Sequence, residues 1–153
     1  QRQMCIRDRG KIVAYEVKYL DGPIVEHPIE QFDLSTGDIL LLPSWVLEAK
    51  EVISQMKKGG NVQELMDKAL KTIRKLEEAR SKLLARKEEE RRQYMRLLAD
   101  RELGSISEQY FRIQLQKLRE LREITDSQLK LLDELVEELD RRLTYLKLSY
   151  MTV

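Results

Sequence analysis

The sequence predicts an α+β protein that is mostly helical, in which a small group of strands precedes long coiled-coil helices. Strand-like alternation and turn signals are confined to residues 10–43. Residues 61–153 are instead rich in Leu, Glu, Lys and Arg, with apolar positions that recur at heptad spacing. Charged residues make up 36% of the chain and aromatic residues 6%, a composition typical of long, solvent-exposed helices.

The first nine residues, QRQMCIRDR, fit neither pattern. A secretory signal needs an apolar core of about 7–15 residues, which this segment lacks. Its codons can be written CAG CGT CAG ATG TGT ATA AGA GAC AGN, which resembles a sequencing adapter ending in a transposase recognition sequence. We therefore interpret residues 1–9 as a sequencing-adapter artefact and expect the domain that starts at Gly10 to be truncated. Removing three arginines and one aspartate changes the formal charge from +1 to −1, and no cysteine remains.

Residues 10–43 predict a small sheet. Lys11–Tyr19 alternates as a half-buried strand does, and turn signals separate it from two further strands at Ile24–His27 and Asp38–Leu42. The face of the first strand with aromatic and β-branched residues carries Val13, Tyr15, Val17 and Tyr19. Three short strands bury little core, so we expect this sheet to lack strands that precede it.

Residues 44–60 predict a linker helix. Pro43 makes a sharp exit from the last strand, Ser44 is a suitable N-cap, and Gly59 with Gly60 ends the helix. The apolar residues at helical spacing are Trp45, Ala49, Val52, Ile53 and Met56. We expect Trp45 to seal the helix onto the sheet, so that Pro43 and Trp45 form the junction between barrel and helix.

Residues 61–153 predict a coiled coil with a break near residues 104–107, and capping boxes at Asn61 with Glu64 and at Ser105 with Glu108. In the first helix the heptad positions are Met66, Ala69, Ile73, Leu76, Leu83, Tyr94 and Leu97, with Arg80 as a polar member. In the second helix the predicted interface residues are Leu129, Leu132, Val136, Leu139, Leu143, Leu146 and Tyr150. This helix should pair with the preceding helix, with another copy of the chain, or with both, and Leu139→Glu should weaken self-association.

The sequence contains no recognisable catalytic, cofactor-binding or metal-binding motif. His27 is the only histidine and has no second ligand or acid–base partner placed near it. We therefore expect no catalytic, cofactor-binding or metal-binding residues, and a protein that is not an enzyme. The longest apolar run, Ile39–Leu42, is too short to cross a membrane. Acidic residues largely cancel a basic group on the first long helix: Lys68, Lys71, Arg74, Lys75, Arg86, Lys87, Arg91, Arg92 and Arg96.

Three motifs occur in a characteristic order. Leu42–Ala49 (LPSWVLEA) matches a Leu-Pro-x-Trp-x-x-Glu-Ala step from strand to helix, and Gly104–Tyr110 (GSISEQY) matches a helix break ahead of a tyrosine. Leu146–Met151 (LKLSYM) is similar to a Leu-Lys-Met-Ser-Tyr segment. Together they resemble the CdvA family of archaeal cell-division proteins, which works with ESCRT-III-like proteins. The resemblance covers about Lys11–Val153.

The resemblance implies a partial, truncated PRC-type β-barrel followed by long coiled-coil helices. It implies a non-enzymatic scaffold that forms a homo-oligomer or filament and recruits ESCRT-III-like proteins to the division site. The chain would lie in the cytoplasm at the inner face of the membrane, with peripheral association only. The family's C-terminal peptide, which binds the ESCRT-III-like protein CdvB, is absent here. The resemblance also implies DNA association, which the sequence neither supports nor excludes.

Two other classes stay open. A prefoldin-like coiled-coil chaperone would form one hairpin with exposed apolar tips, whereas Gly104–Glu108 offers only Ile106. A nucleic-acid-binding coiled coil would show affinity that falls steeply with salt. An enzyme would need a site completed by strands that precede this chain, because nothing present supplies catalytic groups.

Overall fold

The chain is α+β and mostly helical, as predicted. The computed structural model describes residues 2–8, 10–18, 24–33 and 40–151. It divides into two compact units, Gln1–Leu47 and Glu48–Val153, so the boundary falls within the first helix. Strands lie in the first unit, and three helices of 15, 41 and 44 residues follow.

Two antiparallel sheets make up the first unit. One has the order β1 (Arg2–Asp8), β2 (Lys11–Lys18), β3 (Ile24–Pro28). A 3₁₀ turn at Ile29–Gln31 leads into the other, which pairs β4 (Phe32–Asp33) with β5 (Leu40–Leu41). The turns predicted at residues 21–22 and 35–37, and the start of the strand predicted from residue 38, lie outside the described residues.

Strand β1 differs from the prediction that residues 1–9 lie outside the fold. β1 pairs with β2 from Arg2 opposite Lys18 to Asp8 opposite Lys11. Strand pairing uses backbone groups that almost every residue supplies, so an extended segment of any origin can add to a free sheet edge. The pairing therefore corrects the exclusion from the fold, and the adapter origin stays a prediction.

The core of the first unit forms around Tyr15, Val17 and Phe32, with Ile29 packed against them. The rings of Tyr15 and Phe32 meet edge to face, with their centroids 4.9 Å apart and their planes at 68°. On the face of β2 with aromatic and β-branched residues, Tyr15 and Val17 are buried and Tyr19 lies outside the described residues. Val13, predicted on the same face, is 41% exposed. Ala14, on the other face, is also buried.

His27 takes part in this packing. Its ring lies edge-on to Phe32 at 6.2 Å, and its Nδ1 lies 2.7 Å from Oε1 of Gln31. Both contacts join β3 to the turn and strand that follow it. His27 is therefore a residue that connects neighbouring segments of the first unit.

Helix α1 spans Ser44–Lys58, and its N-terminal turn is closed by the Val46 N–H, which donates to the Pro43 carbonyl (3.0 Å). Its buried residues are Val46, Ala49, Ile53 and Met56. Trp45 is half-buried, and its packing onto the sheet stays a prediction. Gly59 follows the helix with a φ of 82°, a conformation that glycine adopts without strain.

A tight turn separates α2 (Val62–Glu102) from α3 (Glu108–Met151). Gly104 has a φ of 71°. The N–H groups of Gly104 and Ser105 donate to the carbonyls of Arg101 (3.1 Å) and Asp100 (2.9 Å). This pair of bonds is a Schellman motif, which ends α2 and reverses the chain.

The N-cap of α3 is Ser107, and the predicted cap at Ser105 is wrong. Ser107 Oγ accepts the N–H of Tyr110 at 3.1 Å. Ser105 does not cap α3, because α3 starts at Glu108 and the residue directly before it is Ser107. At α2, Asn61 is the cap, as predicted.

We expect Asn61→Ala to lower the free energy of unfolding by about 1 kcal/mol. Asn61 Oδ1 accepts the N–H of Glu64 at 3.1 Å, and alanine leaves that donor without a side-chain partner. Asn61→Ser is the control, because serine can make the same bond. Urea unfolding followed by circular dichroism measures the difference. Equal losses in the two variants would contradict the cap assignment.

Candidate functional site: the helical hairpin

Helices α2 and α3 pack along each other as one antiparallel hairpin, so the predicted interface of α3 is occupied within the chain. Leu132 and Leu139 are fully buried and Leu143 is 5% exposed, whereas Leu129, Val136 and Leu146 are half-buried and Tyr150 is 67% exposed. Three further residues of α3 that were not predicted are buried: Phe111, Thr125 and Leu135. Of the alternatives left open by the sequence, the structure shows pairing with the preceding helix.

The buried face of α2 follows one heptad position over four repeats: Ala69, Leu76, Leu83, Glu90 and Leu97. Leu65 and Thr72 flank it and are also buried. Of the other predicted positions, Met66 and Ile73 are half-buried and Tyr94 is 39% exposed. The prediction is thus correct at Ala69, Leu76, Leu83 and Leu97, whereas Leu65 and Thr72 are buried in place of Met66 and Ile73.

Cross-helix contacts define the register of the hairpin. Thr125 on α3 lies against Glu90 on α2, and Asp133 pairs with Arg80. Seven-residue steps from the Glu90–Thr125 contact align Leu83 with Leu132, and Leu76 with Leu139, in antiparallel order. The polar member predicted at Arg80 therefore makes an ion pair beside the apolar layers.

A buried polar layer interrupts the apolar series at Glu90. Its side chain is 7% exposed, and its Oε1 accepts a hydrogen bond from Thr125 Oγ1 at 2.8 Å. Thr125 is 1% exposed, and its hydroxyl also lies 3.0 Å from the Leu121 carbonyl. Because the hydroxyl has one proton, it serves these two acceptors in turn, and the charged carboxylate is the stronger acceptor.

Charged groups of α3 complete this layer. Arg122 Nε lies 3.4 Å from Glu90 Oε2, and Arg122 Nη2 donates to the Lys87 carbonyl at 3.3 Å. The Lys87 ammonium in turn lies 2.9 Å from Asp126. Glu90 Oε2 makes no hydrogen bond within the described protein, so its charge is balanced mainly by the Arg122 ion pair. All of these contacts join α2 to α3.

From Glu48 onward, α1 packs on the helical unit and is not a separate linker. Lys75 on α2 lies 3.4 Å from the Glu48 carboxylate, and Lys68 donates to Gln55 at 3.2 Å. The two contacts give an antiparallel register between α1 and α2. The other side of α1 borders a recess of about 540 Å³ lined by Met56, Lys57, Glu138, Arg141, Arg142, Tyr145 and Leu146. The base of the hairpin thus contains three helices.

Glu138 on α3 holds two arginines at this recess. Arg142 Nε donates to Glu138 Oε1 at 2.7 Å, and Arg141 pairs with Oε2. The hydrogen bond from Arg142 is the main cause that lowers the pKa of Glu138 below its usual range, and the positive charges of Arg142 and Arg141 add to it. Partial burial acts in the opposite direction but does not outweigh them.

The hairpin tip exposes more apolar surface than the sequence indicated. Leu103 is 79% exposed and Tyr110 is 50% exposed, whereas Ile106 is half-buried. Arg101 braces the turn through two hydrogen bonds to Glu108 of 3.1 Å each, and its guanidinium lies 4.4 Å from the ring centroid of Phe111. A fixed turn therefore presents Leu103 and Tyr110 to solvent.

Five of the nine basic residues singled out on α2 form ion pairs. Their carboxylate partners lie within 3.7 Å: Lys75 with Glu48, Lys87 with Asp126, Arg91 with Glu88, and both Arg92 and Arg96 with Glu89. Exposed pairs of this kind each contribute little to stability. They do reduce the positive potential that a nucleic-acid backbone would meet along α2.

In the described part of the chain, no three His, Cys, Asp or Glu side chains are grouped so that they could hold a metal ion. A second recess, of about 420 Å³, lies beside the polar layer between α2 and α3. Its apolar lining consists of Tyr94, Leu115 and Leu118, and its charged lining includes Arg91, Arg119 and Glu123. The chemistry of the hairpin is therefore that of helix pairing, with apolar layers and one charged layer.

We expect Leu139→Glu to lower the free energy of unfolding by more than about 3 kcal/mol. Leu139 is fully buried in the hairpin, so the substitution loses apolar burial and places a carboxylate among apolar side chains. Tyr145→Glu is the control, because Tyr145 lies on the same helix and is 73% exposed. Thermal unfolding monitored by circular dichroism compares them. A similar loss in both variants would contradict the seam assignment.

We expect Glu138 to stabilise the fold above its usual pKa, and this stabilisation to be lost as the pH falls through the lowered value. The reason is that the unfolded chain takes up the proton at a higher pH than the folded chain does. In Glu138→Gln, the thermal midpoint should therefore fall less steeply below about pH 4.3. The contribution should stay below about 1 kcal/mol, because the pair is partly exposed. If the thermal midpoints of the two proteins fell equally steeply below about pH 4.3, this expectation would be wrong.

No family model, curated protein or solved structure matches the chain. In the described helices, the contacts between α2 and α3 close the seam inside the hairpin and leave large apolar side chains exposed at its tip and at the end of α3.

Proposed function

We propose that the chain is a non-enzymatic scaffold of archaeal cell division, which self-assembles and recruits ESCRT-III-like proteins to the membrane at the division site. The observation that carries this proposal is the long hairpin of α2 and α3, whose base also holds α1. A hairpin of this kind presents long outer surfaces on packed helices. An assembly protein requires such surfaces to bind other copies and other proteins. The motif order that resembles the CdvA family supplies the cellular role.

The first unit fits this role as a partial PRC-type barrel. Its two antiparallel sheets enclose a small aromatic core at Tyr15 and Phe32, and β5 leads into α1 through Pro43. A short sheet of this size gains stability from further strands. The proposed barrel would therefore be completed by segments beyond those described.

Self-assembly would use the outer surface, because the heptad seam is already closed within the chain. The end of α3 has the densest exposed apolar group, with Tyr145, Leu148, Tyr150 and Met151 between 58% and 80% exposed. Tyr150 also continues the seam beyond Leu143, where α2 covers it least. This continuity favours a second copy of the chain as the occupant of that surface.

No helix in the described residues is apolar and long enough to cross a membrane. Membrane association in the proposed role would be peripheral, at the inner face of the division site. The ESCRT-III-like partner would bind outside the hairpin, through the family's C-terminal segment. DNA association belongs to the same family role, although the ion pairs along α2 weaken the case for that helix as its binding surface.

We expect the light-scattering mass of the purified chain to rise with concentration above the monomer mass of 18.2 kDa. Leu148→Lys combined with Met151→Lys should reduce this rise, because two charges enter the exposed apolar group. Leu84→Lys is the matched control, since Leu84 is 51% exposed in the middle of α2. A mass that stays at 18.2 kDa at all concentrations would contradict self-assembly. An ESCRT-III-like gene beside this one, and a fluorescent fusion that localises to the division site, would test the cellular role.

The hairpin tip favours a second candidate, a prefoldin-like chaperone. Such a protein needs apolar side chains on the tip of a rigid hairpin, and Leu103 and Tyr110 meet this requirement. Suppression of the aggregation of an unfolded test protein would reveal the activity, and Leu103→Ser with Tyr110→Ser should abolish it. A chain that self-assembles but does not suppress aggregation would exclude the chaperone and retain the scaffold.

A further inference from the structure

We propose that Glu90 and Thr125 select the pairing of the long helices: they make α2 pair with α3 and prevent α2 from pairing with α2 of a second copy. The inference concerns the helical unit and does not rest on the cell-division role. It assigns a purpose to the one charged residue in a buried series that otherwise consists of Ala and Leu.

Glu90 lies on the buried face of α2. It occupies the same heptad position as Ala69, Leu76, Leu83 and Leu97, and all five side chains are buried. Any arrangement that buries this face of α2 must therefore bury Glu90 as well. A buried carboxylate is costly unless an opposite charge and hydrogen-bond donors are placed beside it.

Helix α3 supplies both the opposite charge and the hydrogen-bond donor that a buried Glu90 needs. Thr125 donates a hydrogen bond to Glu90 Oε1, and the Arg122 guanidinium lies 3.4 Å from Oε2. Arg122 is also held by the Lys87 carbonyl on α2, so its position is fixed by the same pairing. Arg122 and Thr125 lie 32 and 35 residues from Glu90 along the chain and meet it only in the α2–α3 register.

The buried face of a second α2 helix cannot supply these partners to Glu90. In a parallel pair of α2 helices, two Glu90 carboxylates would meet in the same layer and repel each other. In an antiparallel pair that aligns the heptads, Glu90 would lie opposite an alanine, a leucine or a second Glu90 of the same buried series, none of which carries an opposite charge. A single polar residue in a coiled-coil core is known to choose partner and register in this way, at some cost in stability.

The test is a disulfide between two copies. In a Cys5→Ser background, Leu83→Cys places one thiol on the buried face of α2, where Leu83 is 5% exposed. Two such thiols meet only when α2 pairs with α2. Adding Glu90→Leu and Thr125→Val should raise the fraction of disulfide-linked dimer by about tenfold or more under mild oxidation, because burying the face no longer buries a charge.

Glu88→Leu is the matched control, because it removes one carboxylate from an exposed site two residues away on the same helix. It should leave the dimer fraction at the level of the parent chain. Glu90→Gln keeps the shape and loses the charge, so its dimer fraction should fall between those of the parent and the double variant.

Two results would overturn the proposal. The first is an equal dimer fraction in the parent, the Glu88→Leu control and the double variant. The second is loss of helical circular dichroism in the double variant, which would mean that the layer is needed for folding itself. A rise restricted to the Glu90 variants, with helicity retained, supports the selection of partners.

Discussion

The antiparallel register between α2 and α3 is the constraint on which the rest of the helical unit depends. Two contacts of different kinds impose it. The Schellman turn at Gly104 reverses the chain within five residues, and the Glu90–Thr125 hydrogen bond aligns the helices about four helical turns away from it. With both in place, the apolar layers fall opposite each other by seven-residue steps. At the base of the hairpin, α1 contacts α2 through Glu48 and Gln55 and borders the recess on α3.

This register decides which surfaces remain for other molecules. Leu132 and Leu139 follow the heptad pattern most clearly, and both are buried inside the hairpin. The outer surface is charged and carries its most exposed large apolar side chains near the two ends, at Leu103 and at Met151. The proposed scaffold would use the end at Met151 and the alternative chaperone the end at Leu103. The proposed scaffold and the alternative chaperone would therefore both depend on the closed hairpin.

The polar layer and the surface charges show two different uses of ionic contacts. The Glu90 carboxylate is buried, and its effect is specific because any other partner would leave this charge uncompensated. Along the outer faces, pairs such as Arg91 with Glu88 are exposed and add little energy. Their effect is collective, since they cancel the basic group on α2. Position in the fold, and not residue type, separates these roles.

The amino-acid pattern is enough to predict the fold class, the helix breaks at Gly59–Gly60 and Gly104, and the burial of Leu132 and Leu139. These depend on local conformational preference and on heptad spacing, which are visible in one chain segment. Contacts between distant segments are needed to close the long helices into a hairpin and to bury Glu90. Glu90 lies in the segment RKEEERRQ, which indicates a solvent-exposed face. Its burial follows from Thr125 and Arg122, whose distance along the chain hides the contact from any local pattern.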